Sequence, residues 1–416
     1  MNILLIHQYF LEPGDGGGSR FNEMARVWVE EGHQVEVLAG MVHYATGEKL
    51  PEYKGKRFVR RVQEGVDVLR CDVSDDYNTN FFGRLKGYLS FVGSSTQAGL
   101  TKLLRKPDVI LVTSPPLFVG ITSTILGLFK RTPFVFEVRD LWPESAIDTG
   151  VLTSKPLIKA AYAFERFIYW RANLVNVLTP AFRKKLIEVK GVPEDKVIFI
   201  PNAADFTLAE AVAEDFDRDA FRQNRGWTDK VVITYVGAHG VANHLDQILD
   251  TAALLRNDRP EVLFVLIGGG MRKAALKERA QRDGLDNVEF IDSVPKAEVF
   301  RYIIASDFGT SVLKRVETFK TIYSNKTFDY MACRVPVLLA IDGVSRELVE
   351  AADCGRFIEP EDPQDFKEVI EFYLGLPRAE WKRQGDSGHA YATEHFDRTK
   401  LALEYLTHLE RVAAGE

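Results

Sequence analysis

Cysteine is scarce. The 416 residues hold three, Cys71, Cys333 and Cys354, far apart and without a CxxC pair. Neither a disulfide framework nor a structural zinc site is indicated, and a reducing cytoplasm fits. Low-complexity tracts and long blocks of like charge are missing too, which excludes a disordered or polyelectrolyte chain. Met1-Asn2-Ile3-Leu4-Leu5-Ile6 has no basic region and no long apolar core, so a secretory leader is not expected. One uncharged stretch, residues 109–129, is long enough to span a bilayer. Ser114-Pro115-Pro116 interrupts it early. Residues 108–113 read as a buried strand and those after the prolines as a buried helix.

What is present is a globular composition: 46% hydrophobic, 27% charged and 11% aromatic. At roughly 150 residues per domain the length argues for two or three domains. The net charge of −6 is unevenly spread. The first 190 residues carry 25 Lys+Arg against 20 Asp+Glu, and the remainder 28 against 39. A basic first half suits an anionic membrane surface or a phosphate-bearing acceptor, and ordinary surface variation explains it equally well.

Strand and helix patterns alternate twice. Apolar runs at 2–7, 34–39, 66–70, 109–113, 134–138, 174–178 and 197–200 read as strands. Helical spacing fills 21–31, 81–104, 155–172 and 180–189. The pattern restarts with strands at 231–236, 262–267, 288–291, 308–312 and 336–339 and helices at 246–256, 272–282 and 326–332. Residues 201–229 read as a polar linker and 388–414 as helices. The expectation is α/β, two doubly wound domains: 1–204, 205–387, and C-terminal helices 388–416 packing back toward the first. Such sheets bind ligands beyond the carboxyl ends of their strands.

Four segments concentrate chemistry there. Pro13-Gly14-Asp15-Gly16-Gly17-Gly18-Ser19-Arg20 offers backbone amides at Gly17 and Gly18 and a cation at Arg20 for an anion, or is a surface loop. It is not GxGxxG, and the second strand ends in Gly40 rather than an acid, so a dinucleotide fold fits poorly. Glu137, Arg139, Asp140 and Glu144 crowd the end of one strand. Either they pair with one another to pin the loop or they meet a polar ligand, and the location favours the ligand. Gly237 and Gly240 free amides for a phosphate, with His239 between them structural or functional. In Tyr323-Ser324-Asn325-Lys326-Thr327-Phe328-Asp329, Ser324 is a candidate N-cap. Lys326 and Asp329 share a helix side, as a diphosphate and ribose site or as a plain ion pair.

Together these segments resemble the retaining glycosyltransferases of family 4, which have the GT-B fold. The resemblance runs the whole chain and includes Pro201-Asn202-Ala203-Ala204-Asp205, similar to the family's PNGxD element, and Gly268-Gly269-Gly270. Glu137-Val138-Arg139-Asp140-Leu141-Trp142-Pro143-Glu144-Ser145 resembles the branch of bacterial surface-polysaccharide assembly that includes N-acetyl-L-fucosamine transferases. The chain departs from the family in placing Thr321 and Asp329 where two glutamates are usual. Ala238 and Asn243 stand where Arg and Lys usually grip the diphosphate.

The resemblance implies a UDP-sugar donor in the second domain, with the base near Ser293 and Val294 and Asp329 on the ribose. The diphosphate would lie on amides at Gly17, Gly18, Gly240 and the Ser324–Asn325 helix start, with Lys326 and Arg20 as cations. Arg139, Asp140, Glu144 and Lys326 are the expected catalytic set. It implies retention, no metal and no other cofactor. The acceptor would be lipid-linked or a glycan, and no nucleic-acid partner is implied. Residues 81–91 mix basic and aromatic residues at helical spacing, which suits peripheral contact with an anionic membrane or, equally, a core-packed helix with two solvated cations. The rivals are a GT-B UDP-sugar 2-epimerase and a catalytically silent nucleotide-sugar-binding subunit.

Overall fold

The computed structural model describes residues 1–13, 20–43, 47–75, 81–148 and 150–416, apart from the side chains of 81, 82 and 84. Gly17, Gly18 and most of their loop therefore lie outside the described residues. The chain forms two compact units: residues 1–13 and 20–201 with Thr399–Glu416 in one, and Asn202–Arg398 in the other.

The first unit is built on an eight-stranded sheet. Its strands are β1 (Asn2–Ile6), β2 (Gln34–Gly40), β3 (Phe58–Gln63), β4 (Val66–Cys71), β5 (Val109–Thr113), β6 (Phe134–Val138), β7 (Leu174–Val177) and β8 (Val197–Phe199), in the order β3-β4-β2-β1-β5-β6-β7-β8. All neighbours run parallel except β3, which pairs antiparallel with β4. Central strands such as Val-Ile-Leu-Val-Thr of β5 are buried at every position, as helices on both faces require. The 109–129 stretch is thus β5 plus the Val119–Lys130 helix, and no described helix is long and apolar enough to cross a membrane.

The second unit carries β9 (Val231–Val236), β10 (Val262–Ile267), β11 (Val288–Ile291), β12 (Phe308–Val312), β13 (Val337–Ala340) and β14 (Gly355–Phe357). All are parallel, in the order β11-β10-β9-β12-β13-β14. Strand order reverses between β9 and β12, as it does between β1 and β5 in the first unit. Those reversals open a crevice at the carboxyl ends.

Three expectations are corrected. Residues 201–229 are not an irregular linker: helices Phe206–Glu214 and Arg218–Arg225 fill them, N-capped by Asp205 on Leu208 N (3.2 Å) and Asp217 on Ala220 N (2.9 Å). Arg222 is buried against Asp307 at 3.2 Å, and Trp227 is buried beside it. The change of unit falls at Pro201/Asn202 rather than at 204/205. Of the tail, the Arg378–His395 helix stays with the second unit, while the Arg398–Ala414 helix packs on the first, except for its initial Arg398. There Trp28 Nε1 donates to Ala402 O at 2.8 Å and the Trp28 and Tyr405 rings meet edge to face.

Candidate functional site

In the second unit the loops after β9 and β10 lie backbone to backbone. Gly237 N donates to Ile267 O, His239 N to Gly269 O, and Arg272 N to His239 O, all at 2.8–2.9 Å. This closeness needs glycine. A Cβ on Gly268 would sit 2.0 Å from Gly237 O, and Gly268 also holds φ 141°. The glycine triplet is therefore a seam between the two loops.

The Asn325–Ala332 helix packs at the reversal between β9 and β12, and Tyr330 fixes it there. Its buried hydroxyl donates toward Thr310 O (2.9 Å) and Thr234 O (3.1 Å) and accepts Val236 N–H (3.2 Å). One phenol thus ties the helix to β9 and β12 at the strand reversal. One turn earlier Lys326 is half-buried, its ammonium 5.0 Å from the Tyr235 ring centroid and 3.5 Å from Ser324 Oγ. Desolvation drives its pKa down to about 8, against the opposing pull of Asp329. Asp329 is half-buried three residues on. Ser324 is the N-cap residue but makes no side-chain cap bond, its Oγ being turned to Lys326. Among the described residues no group accepts from the Asn325 and Lys326 backbone amides. An anion placed there meets two amides and an ammonium that burial has stripped of water.

The remaining expected donor-side residues separate. Ser293 is exposed, its Oγ 3.2 Å from where a Gly269 Cβ would lie, and Val294 is half-buried beside it at the end of β11. Asn325 is exposed. Gly240 borders a cavity of about 220 Å³ shared with Val241, His244, Asp246, Arg272 and Lys314. Arg272 is taken by Asp246 at 3.0 Å, whereas Lys314 makes no ion pair among the described residues. His239 corrects the expectation. Its imidazole is fully buried between Tyr235 and Phe290, neither nitrogen has a hydrogen-bond partner among the described residues, and burial pushes its pKa down to about 4. It is a neutral wedge inside the domain, and only its backbone serves the loop.

In the first unit the charged strand end resolves into pairs. Arg20, expected on the donor, is buried. It donates to Glu137 Oε2 (3.1 Å), Ile200 O (2.8 Å) and Pro201 O. Glu137 also accepts from Asn176 Nδ2 at 2.9 Å. With its terminal nitrogens held, Arg20 joins the ends of β6 and β8 and is not available to a phosphate. Glu144 is paired with Lys190 at 2.8 Å and Lys185 at 3.4 Å. Burial raises its carboxyl, but Lys190 outweighs burial and holds it below its usual range. Lys190 also grips buried Glu165 at 2.6 Å, so Glu144 clamps its loop to the neighbouring helix. Asp140 differs. Half-buried, it accepts Ser145 Oγ–H at 2.8 Å and has no cation pair among the described residues, and burial raises its pKa. Arg139 is half-buried next to it, its amide 3.4 Å from Ser114 Oγ.

Sequence reasoning missed Tyr330, Lys314 and His7. His7 follows β1 as a buried imidazole whose pKa is driven well below normal by burial, then by Arg139 and Arg70. The one available signal for Tyr330 was Gly309 inside a strand, which marks a close approach.

Residues 15–203 match the family described as Glycosyl transferase 4-like domain, and residues 217–387 match Glycosyl transferases group 1. The chain is a glycosyltransferase built from these two domains. The glycosyltransferase is 29% identical over 294 residues to Escherichia coli K12 WcaI, described as a colanic acid biosynthesis glycosyl transferase, covering 70% of this chain and 71% of that one. It is 25% identical to Pseudomonas aeruginosa WbjE, described as a glycosyltransferase, over 65% of this chain and 67% of the relative. Among solved structures, Anabaena HepE in complex with UDP superposes with TM-score 0.70 at 18% identity, covering 99% and 100% of the two chains. E. coli trehalose-6-phosphate protein with UDP-2-fluoro glucose gives 0.75 at 11%, covering 99% of each. At these identities the likeness shows the GT-B fold.

Proposed function

We propose that this glycosyltransferase moves a sugar, with retention, from a UDP-sugar to a lipid-linked or glycan acceptor in bacterial surface-polysaccharide assembly. The observation that carries the donor side is Lys326. A half-buried ammonium with no carboxylate within ion-pair distance among the described residues, beside two helix amides unengaged by them at the strand reversal, is suited to a diphosphate. The complexes of HepE with UDP and with UDP-glucose support UDP as the nucleotide. The name of WcaI supports polysaccharide assembly, and an N-acetylated deoxyhexosamine is the proposed sugar.

In this reading Lys326 and the Asn325–Lys326 amides stabilise the charge that grows on the leaving diphosphate, and no metal is required of them. Lys314, across the Gly240 cavity, supplies a second cation where Ala238 and Asn243 supply none. Asp329 holds the ribose hydroxyls and Ser293 lies toward the base. Asp140 and Arg139 position sugar or acceptor, and the leaving phosphate acts as base on the same face. The enzyme works in the cytoplasm, peripheral to the membrane.

Thermal-shift measurements with UDP, GDP, ADP and NAD, without metal, test the donor. UDP at about 100 times its Kd should add about 2.7 kcal/mol of stability, and the shift should vanish in Asp329→Ala. A response to NAD alone, or to no nucleotide, would sink the reading. Conversion of the UDP-sugar to its C2 epimer without any acceptor would favour the epimerase.

A further inference from the structure

A strongly cationic stretch of the first unit takes no part in the charged strand end just described. From residue 149 to 187 the sequence holds seven Lys or Arg and a single acid, Glu165. Glu165 is buried and held by Lys190. The Lys155–Arg171 helix therefore shows solvent only cations, at Lys155, Lys159, Arg166 and the half-buried Arg171. Along the same outward stripe stand Phe167 and Trp170, the indole 69% exposed and its ring 6.1 Å from that of Phe167, with the Arg171 guanidinium 5.7 Å away.

A second helix end continues the patch. The Val119–Lys130 helix leads into β6 and the Lys155–Arg171 helix into β7. These strands pair, and Asn173 N donates to Phe134 O at 2.8 Å where they begin. The two helix ends thus lie side by side, adding Phe129, 75% exposed, together with Leu128, Lys130 and Arg131. No acid occurs between residues 109 and 136.

We propose that this face docks on an anionic bilayer. Aromatic rings among cations on a surface-lying helix suit the headgroup boundary, where rings enter the acyl edge and ammonium and guanidinium groups meet lipid phosphates. A second copy of the chain fits badly, because a twofold contact sets the same cations against each other. An acidic protein would satisfy the charges but leave no reason for two wide-open rings. The proposal rests on the peripheral-membrane part of the function given above, yet is read out separately from donor binding. It also moves the contact off the Phe81–Thr101 helix, where residues 81–91 had been expected to serve.

The full chain should sediment with vesicles of three parts phosphatidylglycerol to seven parts phosphatidylethanolamine. It should not sediment with phosphatidylcholine, and 0.5 M salt should release it. Trp170→Ser with Phe129→Ser, or Lys159→Glu with Arg166→Glu, should weaken capture at least about tenfold while the UDP thermal shift stays intact. That intact shift shows the variants are folded and keeps a failure here distinct from a failure of the donor reading. Wild-type protein that ignores anionic vesicles overturns the proposal. So does loss of capture confined to Arg84→Glu/Lys86→Glu, which returns the contact to the earlier helix. Capture equal in all variants, or retained only on a polyglutamate resin, overturns it as well.

Discussion

Gly309 has no Cβ, and the ring of Tyr330 occupies the place where one would stand, 2.3 Å from the nearest ring carbon. The missing atom lets the Asn325–Ala332 helix lie directly on β12, so that Lys326 and Asp329 reach the strand reversal.

Tyr330→Phe keeps that packing but leaves Val236 N–H and Thr310 O without the hydroxyl. Stability should fall by about 1–3 kcal/mol, seen in urea melts, and UDP affinity should fall with it as the helix loosens. Gly309→Ala should cost more, because backbone and a fully buried ring must both shift. Wild-type stability in Tyr330→Phe would refute the role given to the phenol.

Lys326 ties binding to pH. Its folded pKa lies near 8 against an ordinary 10.5. The unfolded chain holds the proton more readily between those values, so the folding penalty is complete below pH 8 and fades as pH rises toward 10.5. An anion needs the protonated form. Calorimetry should therefore show UDP affinity falling by up to about tenfold per unit above pH 8, and Lys326→Arg should flatten that fall. Lys326→Met should melt higher than wild type at pH 7 without ligand and show no UDP shift. A Lys326→Met protein that still binds UDP normally would count against the diphosphate assignment.

Asp140 and Glu144 should part company in kinetics. Burial disfavours the Asp140 charge, so Asp140→Asn should leave stability unchanged or raised while kcat/KM drops by about a hundredfold. Glu144→Gln should do the reverse. It loosens the Lys190 clamp and costs about 1–3 kcal/mol, with kcat/KM within a fewfold of wild type. Equal kinetic losses in both would mean the loop acts as a unit.

His239 should make the second unit acid-sensitive. Its folded pKa of about 4 lies below the ordinary 6.5, so stability is complete above pH 6.5 and lost as pH falls toward 4, at up to about 1.4 kcal/mol per unit. Urea melts of His239→Phe should show a shallower slope across that window. An unchanged slope would place the sensitivity elsewhere, with His7 the next candidate.

The strands were legible because buried parallel strands are uninterrupted apolar runs, as in Val262–Ile267. The two that escaped notice break that rule. β3 is a charged antiparallel edge, Phe-Val-Arg-Arg-Val-Gln, and β14 has three residues and begins at a glycine on which a Cβ would stand 2.0 Å from Val337 O. Lys326 and Asp329 were legible because helical spacing fixes their common side. Arg20, Glu137 and Glu144 were not, since their partners Ile200, Asn176 and Lys190 lie far off in sequence. A charge that binds a ligand and a charge that locks a loop have the same letters.

The Arg398–Ala414 helix gives the chain an order of assembly opposite to its order of synthesis. Trp28 obtains the acceptor for its indole N–H from Ala402, and Asn202–Arg398 must be made first. The unit begun first therefore draws part of its core from residues made after the whole of the second unit. Nascent chains cut short within residues 398–414 should therefore contain a finished second unit and an unfinished first.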